Sequence, residues 1–147
     1  MADSTGKTYI AVDYGSRRIG IAKSDPTGLI ASALTTIEVK SIRQAVAEVV
    51  RLLREYKPRG LVIGYPLLKS GDRSKKCEEV DRFINKVIAE YPIDVFRVDE
   101  SYTSVEAADI IHAHGKRTGK DKRRIDRLAA VMILQRFLDE PDEPSRR

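Results

Sequence analysis

Apolar and polar positions change period after about the first forty residues, and that change predicts the fold. Tyr9 to Val12 is a short β-forming run that ends at Asp13. Gly15 and Ser16 supply a turn, and Ile19 to Ala22 reads as a second strand, so the two segments predict a hairpin. A third strand is expected from Ala31 to Ile37, after the Asp25-Pro26-Thr27-Gly28 turn. Three strands without an intervening helix predict an antiparallel meander.

The helical period then takes over. Ser41 to Tyr56 carries Ile42, Val46, Val49, Val50, Leu52 and Leu53 at helical spacing, with Ser41 and Gln44 as a capping box. Pro58 and Gly60 stop this helix, and Leu61 to Ile63 is a short buried strand running into Gly64. Asp72 to Tyr91 predicts a second helix, with Cys77, Val80, Ile84, Val87, Ile88 and Tyr91 along one face. Its Cys77 reads as core packing, not as a reactive thiol. Ile93 to Val98 forms a fifth strand and delivers Asp99 and Glu100 at its end. Thr103 and Glu106 make a second capping box for a helix to about His114, and a final helix is expected from Lys122 to Leu138. The order βββαβαβαα predicts an α/β fold with a five-stranded mixed sheet, its later strands parallel and helix-connected.

Composition narrows the picture. The 147 residues, 41% of them apolar, suit one domain with an ordinary core. Residues 8–138 are expected to form that domain, with residues 1–7 and 139–147 as flexible tails. No apolar run approaches the length of a bilayer span and no secretory pattern opens the chain, so no membrane partner and a cytoplasmic location are expected. Cys77 is the single cysteine, which excludes an internal disulfide framework. A monomer and a homodimer are both compatible with the pattern.

The net charge is +5, and its distribution carries more meaning than its size. Between Lys116 and Arg127 stand seven basic residues (Lys116, Arg117, Lys120, Lys122, Arg123, Arg124 and Arg127) against two acids. Such a run reads either as a solvated loop and helix start or as a docking patch for a phosphate backbone, where clustered cations release condensed counterions. Its position immediately around Asp126 favours the patch.

Asp13 ends the first strand, and Glu100 lies just beyond the fifth. Ligands of open α/β sheets bind beyond the carboxyl ends of the strands, so the two acids share a rim if their strands run parallel. Asp126 is expected in the first turn of the last helix, where the helix dipole favours negative charge. Ala130, Ile133 and Phe137 follow it on one face, so Asp126 heads an apolar stripe and is expected to point inward over the sheet. Each acid also has a plainer explanation: Asp13 as a turn residue, Glu100 as a hydrogen-bond partner of the next helix, Asp126 as a first-turn acid. Together they form a more specific pattern, because like charges gathered without a partner resist joint ionisation. Hard divalent cations, Mg²⁺ or Mn²⁺, resolve that cost through oxygen ligation. Two such ions roughly 3.5–4 Å apart activate water and stabilise the leaving oxygen in phosphodiester cleavage.

Other candidates carry less. Asp99 is expected to face away from Glu100's side, as a supporting residue. His112 and His114 lack a Cys or His partner for zinc. Arg17, Arg18 and Lys69 are candidate phosphate contacts, beside Lys116, Lys120, Lys122, Arg123 and Arg124. No Ser-His-Asp or Cys-His arrangement and no Walker-type phosphate loop is present.

Four segments, taken in order, resemble one family: VDYGSRRIG (Val12 to Gly20), LVIGYPL (Leu61 to Leu67), DESYTSVEA (Asp99 to Ala107) and RIDRLAAVMILQ (Arg124 to Gln135). It is the YqgF family, also called RuvX, described as Holliday-junction resolvases and as nucleases maturing the 5′ end of pre-16S rRNA. The resemblance covers nearly the whole chain apart from its ends. It implies a ribonuclease-H-like fold, a metal-dependent endonuclease, and three acidic ligands that carry over to Asp13, Glu100 and Asp126. It also implies structured nucleic acid as the partner, either pre-rRNA or branched DNA. Two departures flank the expected site: Leu68-Lys69-Ser70-Gly71 stands where the family usually has an Asn-Met-Asp-Gly-like run, and Ser101 where it usually has Arg. They bear on substrate contacts more than on metal binding. Two other readings stay open here, a non-catalytic nucleic-acid-binding module and an actin-like nucleotide-binding protein. The second needs two lobes, and this chain supplies one.

Overall fold

The structure, a computed structural model, describes residue 6 and residues 8–68, 70–99 and 119–140, with the backbone alone at 119–121. Five strands, β1 (Tyr9–Asp13), β2 (Arg18–Ser24), β3 (Ala31–Glu38), β4 (Gly60–Tyr65) and β5 (Asp94–Asp99), form one sheet in the order β3-β2-β1-β4-β5. The β1–β2 and β2–β3 pairs are antiparallel, while β4 pairs parallel with both β1 and β5. This is the mixed sheet expected from the sequence. The helices are α1 (Ile42–Tyr56), α2 (Lys75–Glu90) and α3 (Gly119–Asp139). The expected Thr103–His114 helix and both expected tails lie outside the described residues, apart from Gly6 and the end of α3.

The two faces of the sheet differ in side-chain size, and that difference explains which helix packs where. Ile10, Val12, Ile19, Ile21, Leu61 and Ile63 point to one face and form a thick core with α1 and α2. On the other face β1 and β2 offer the small Ala11, Gly20 and Ala22, with Val62, Val98, Tyr9 and Phe96 further along, and α3 answers with Ala129, Ala130, Ile133, Leu134 and Phe137. Small side chains let the α3 backbone come close. A Cβ built on Gly20 would lie 1.9 Å from the Asp126 carbonyl oxygen, so only glycine fits there. Polar tethers fix the helix along β2 and β3. The Gln135 amide accepts from Ala31 N at 2.9 Å and donates to Leu29 O at 2.9 Å, and the Thr36 hydroxyl donates to Arg123 O at 2.8 Å.

Helix boundaries follow local capping. The Ser41 hydroxyl accepts from Gln44 N at 3.1 Å, and the Gln44 side chain accepts from Lys40 N at 2.8 Å, so the expected box closes one residue further out. Helix α2 begins at Lys75, not Asp72, because Ser74 caps it through Cys77 N at 3.2 Å. Asp72 is instead held in the preceding turn, its carbonyl accepting from Leu68 N and its carboxylate from the Ser70 hydroxyl. Cys77 is buried, as expected of core packing. Helix α3 starts at Gly119, three residues before the expected Lys122, since the intervening Lys and Asp tolerate helix. No described helix is long and apolar enough to cross a membrane.

Two outcomes are expected. Gly20→Ala forces backbone against backbone and is expected to lower the unfolding free energy by about 2 to 3 kcal/mol, read by urea denaturation. An unchanged midpoint would show that α3 does not sit this close in solution. In the β2–β3 turn, the Ile30 amide and the Thr27 hydroxyl hold the Asp25 carboxyl down to about 2, with help from Leu29 N. A carboxyl depressed on folding stabilises the native state above its ordinary value of 3.8, and loses that contribution as pH falls through 2. An NMR titration of Asp25 with its midpoint at the ordinary value would show the turn to be open.

Candidate metal and nucleic-acid site

Asp13 closes β1 at the carboxyl edge of the sheet and is 8% exposed. It stands directly across the antiparallel ladder from Gly20. Residues opposite one another in such a ladder project from the same face. Gly20's missing side chain points at the Asp126 backbone, so Asp13 lies on the α3 side of the sheet, beside the turn of α3 that carries Asp126. Two acids 113 positions apart in the chain thus flank one glycine.

The position of Asp126 corrects one premise. With α3 starting at Gly119, Asp126 lies two turns into the helix and not in its first turn, so the helix dipole no longer accounts for its charge. A cation does. Arg18 Nε donates to Asp126 Oδ2 at 2.7 Å, with the two side chains 32% and 17% exposed. Ala130, Ile133 and Phe137 below it are buried, and the expected inward face of the helix is the observed one. Arg18 was a candidate phosphate contact; here its guanidinium is the counter-ion of a candidate metal ligand.

At β5, Val98 is buried under α3 while Asp99 is exposed on the alternate side of the strand, as expected for a residue facing away. Glu100, the third expected ligand, lies outside the described residues, as do Lys69 and Lys116 and the side chain of Lys120. Among the described residues no group of three His, Cys, Asp or Glu side chains is placed to hold a metal ion. The described part of the site therefore supplies two carboxylates. Their chemistry fits a hard divalent cation: oxygen donors only, one of them nearly buried and the other already drawn to a positive charge. His112 and His114 lie outside the described residues.

Of the basic candidates, Arg17 is exposed on the β1–β2 turn, and Lys122, Arg123 and Arg124 are exposed along α3. Arg123 is ion-paired to Glu38 at 2.5 Å. A second polar network sits at the end of β4, where sequence reasoning had placed nothing. The Tyr65 hydroxyl donates to Asp81 at 2.9 Å, and Arg73 and Arg97 both pair with the same carboxylate at 2.5 and 3.2 Å. Burial, and next the bond to Asp81, push the Tyr65 phenol above its usual range, so it stays neutral and donating. No local signal could have revealed this network or the Arg18–Asp126 pair, because their members come from separate elements.

A double-mutant cycle of Arg18→Ala and Asp126→Ala is expected to yield a coupling of about 1 kcal/mol in thermal unfolding without divalent ions. Additive effects of the two substitutions would show that the pair does not persist in solution.

The RuvX family, described as Holliday junction resolvase, matches residues 7–140. A protein from Syntrophus aciditrophicus named "Putative pre-16S rRNA nuclease" is 43% identical over 130 residues, covering 88% of this chain and 87% of that one. A protein of the same name from Synechococcus elongatus is 36% identical over 137 residues, covering 93% and 92%. Among solved structures, T. thermophilus RuvC in complex with a Holliday junction substrate aligns with a TM-score of 0.53 at 15% identity, covering 86% of this chain and 90% of that one. The Fowlpox virus resolvase aligns with a TM-score of 0.54 at 13% identity, covering 90% and 99%. At such identity these two likenesses speak to the fold, which is ribonuclease-H-like. The sequence matches speak to descent, and this chain belongs to the RuvX (YqgF) family of nucleases.

Proposed function

We propose that this protein is a divalent-metal-dependent endonuclease that hydrolyses phosphodiester bonds in structured RNA, acting at the 5′ end of pre-16S rRNA, with Asp13, Glu100 and Asp126 as its metal ligands. The observation that carries the reading is the meeting of Asp13 and Asp126 around Gly20 at the carboxyl edge of the sheet, with Arg18 paired to Asp126. The names of the relatives support the RNA substrate.

Residues of the chain divide the work by chemistry. Asp13 and Asp126, with Glu100, are the oxygen donors that would hold Mg²⁺ or Mn²⁺, in one or two ions. When bound, such ions supply an activated water and neutralise charge on the phosphate. Arg18 holds the Asp126 carboxylate in place and lies within reach of the same edge. The exposed Lys122 and Arg124, with Arg123 beside them on Glu38, line α3, and such a cationic face attracts a phosphate backbone through counterion release. A role in ribosome assembly is consistent with a cytoplasmic protein.

Branched DNA is the second reading, favoured by the family's description as a resolvase. One assay separates the possibilities: a pre-16S rRNA fragment and a four-way DNA junction, each incubated with and without Mn²⁺. The wild type is expected to cleave the rRNA fragment only when metal is present. Asp13→Asn is expected to lower cleavage by about a hundredfold or more while binding is retained. Wild-type cleavage by Asp13→Asn would remove the site assignment, and binding without any turnover by the wild type would mark a non-catalytic module.

A further inference from the structure

Beside the carboxylate site runs an open groove of about 780 Å³, which the sequence did not single out. Its walls come from the β1–β2 turn, the end of β3 and the start of α1, and include Arg17, Arg18, Glu38, Lys40 and Gln44. The wall elements are locked together: Arg18 pairs with Glu38 across the β2–β3 ladder, and Val39 N donates to Arg17 O at 2.9 Å. Because β2 begins where β1 ends, the groove opens on the same edge of the sheet as Asp13. Arg18 is the shared wall, lining the groove while holding Asp126.

Among the polar groups of the lining, donors predominate. Arg17 and Lys40 are exposed, and the structure gives their side chains no ion pair among the described residues. Gln44 spends its oxygen on Lys40 N, so its amide nitrogen keeps its donors for the groove. Glu38 is the one carboxylate in the wall, and Arg123 neutralises it at 2.5 Å. A volume of this size is that of a ligand cleft, not of a single-ion site. Three cationic or amide donors, Arg17, Lys40 and Gln44, against one carboxylate already paired to Arg123, match a chain of phosphates.

We propose that this groove seats the phosphodiester backbone of the nucleic acid, with Arg17, Lys40 and Gln44 as its contacts, and leads the strand to the edge where Asp13 and Asp126 stand. The inference rests on the nuclease reading for its ligand class, but it concerns binding and adds two residues, Lys40 and Gln44, that this reading leaves unused. The test therefore reads binding without cleavage. Full-length wild type, Arg17→Ala/Lys40→Ala, Lys40→Glu and the control Lys86→Ala, at an exposed position of α2, are titrated by fluorescence anisotropy in EDTA over a series of salt concentrations. The probes are a labelled RNA hairpin and a labelled four-way DNA junction.

The double substitution is expected to weaken binding by about tenfold and to reduce the slope of log affinity against log salt by about 1 to 2, as two lost phosphate contacts require. Lys40→Glu is expected to weaken binding further than the loss of one charge. Thermal midpoints near wild type, expected for exposed side chains, keep folding out of the comparison. An unchanged slope for the double variant, or an equal loss in Lys86→Ala, overturns the groove. The two probes say whether the backbone seated is that of RNA, of DNA or of both. Failure of Asp13→Asn to lose cleavage would sink the acid-site reading and leave these binding results standing.

Discussion

The approach of α3 to β2 at Gly20 is the constraint on which the rest of the arrangement depends. Backbone meets near-backbone there, because Gly20 offers no side chain and Ala11 and Ala22 beside it offer little more. That closeness sets the height of the whole helix above the sheet. It brings Asp126 level with the residue paired to Gly20 across the ladder, which is Asp13. A larger side chain on β2 would lift the helix and separate the acids, whatever their own chemistry.

Charge arrangement follows from the same geometry. A carboxylate brought over a sheet edge loses water, and Asp126 recovers part of that loss through Arg18, which projects from the same strand and face as Gly20. The basic residues are then divided by partner. Arg18 and Arg123 are engaged with Asp126 and Glu38, while Arg17 and Lys40 stay exposed along the adjoining groove. On the far side of β4 a separate network gathers Arg73, Arg97 and Tyr65 on Asp81. Of these cations, Arg18 is the one in contact with the candidate metal ligands.

Much of this was legible in the chain itself. Period two before residue 40 and the helical period after it are local properties, so the meander, α1, α2 and the strand order of types could be read directly. Helix phase alone pointed Asp126 inward, because Ala130, Ile133 and Phe137 share its face. The strand ends placed Asp13 at an edge where ligands bind. Where local reading slipped, the cause was also local: Ser74 caps α2 three residues after the expected start at Asp72, and residues 119–121, expected in the loop before Lys122, are helical.

What only the tertiary structure decided is which elements stand next to each other. Sequence spacing says nothing about the 108 positions between Arg18 and Asp126, yet their ion pair replaces the helix-dipole account of the acid's charge. Nor does it say that Gly20 must be glycine for α3's sake, or that Lys40 and Gln44 join Arg17 in one groove. The physical reason is common to all three. Periodicity and capping are set by neighbours a few residues away, whereas charge pairing and close backbone approach depend on packing between elements that no local pattern encodes.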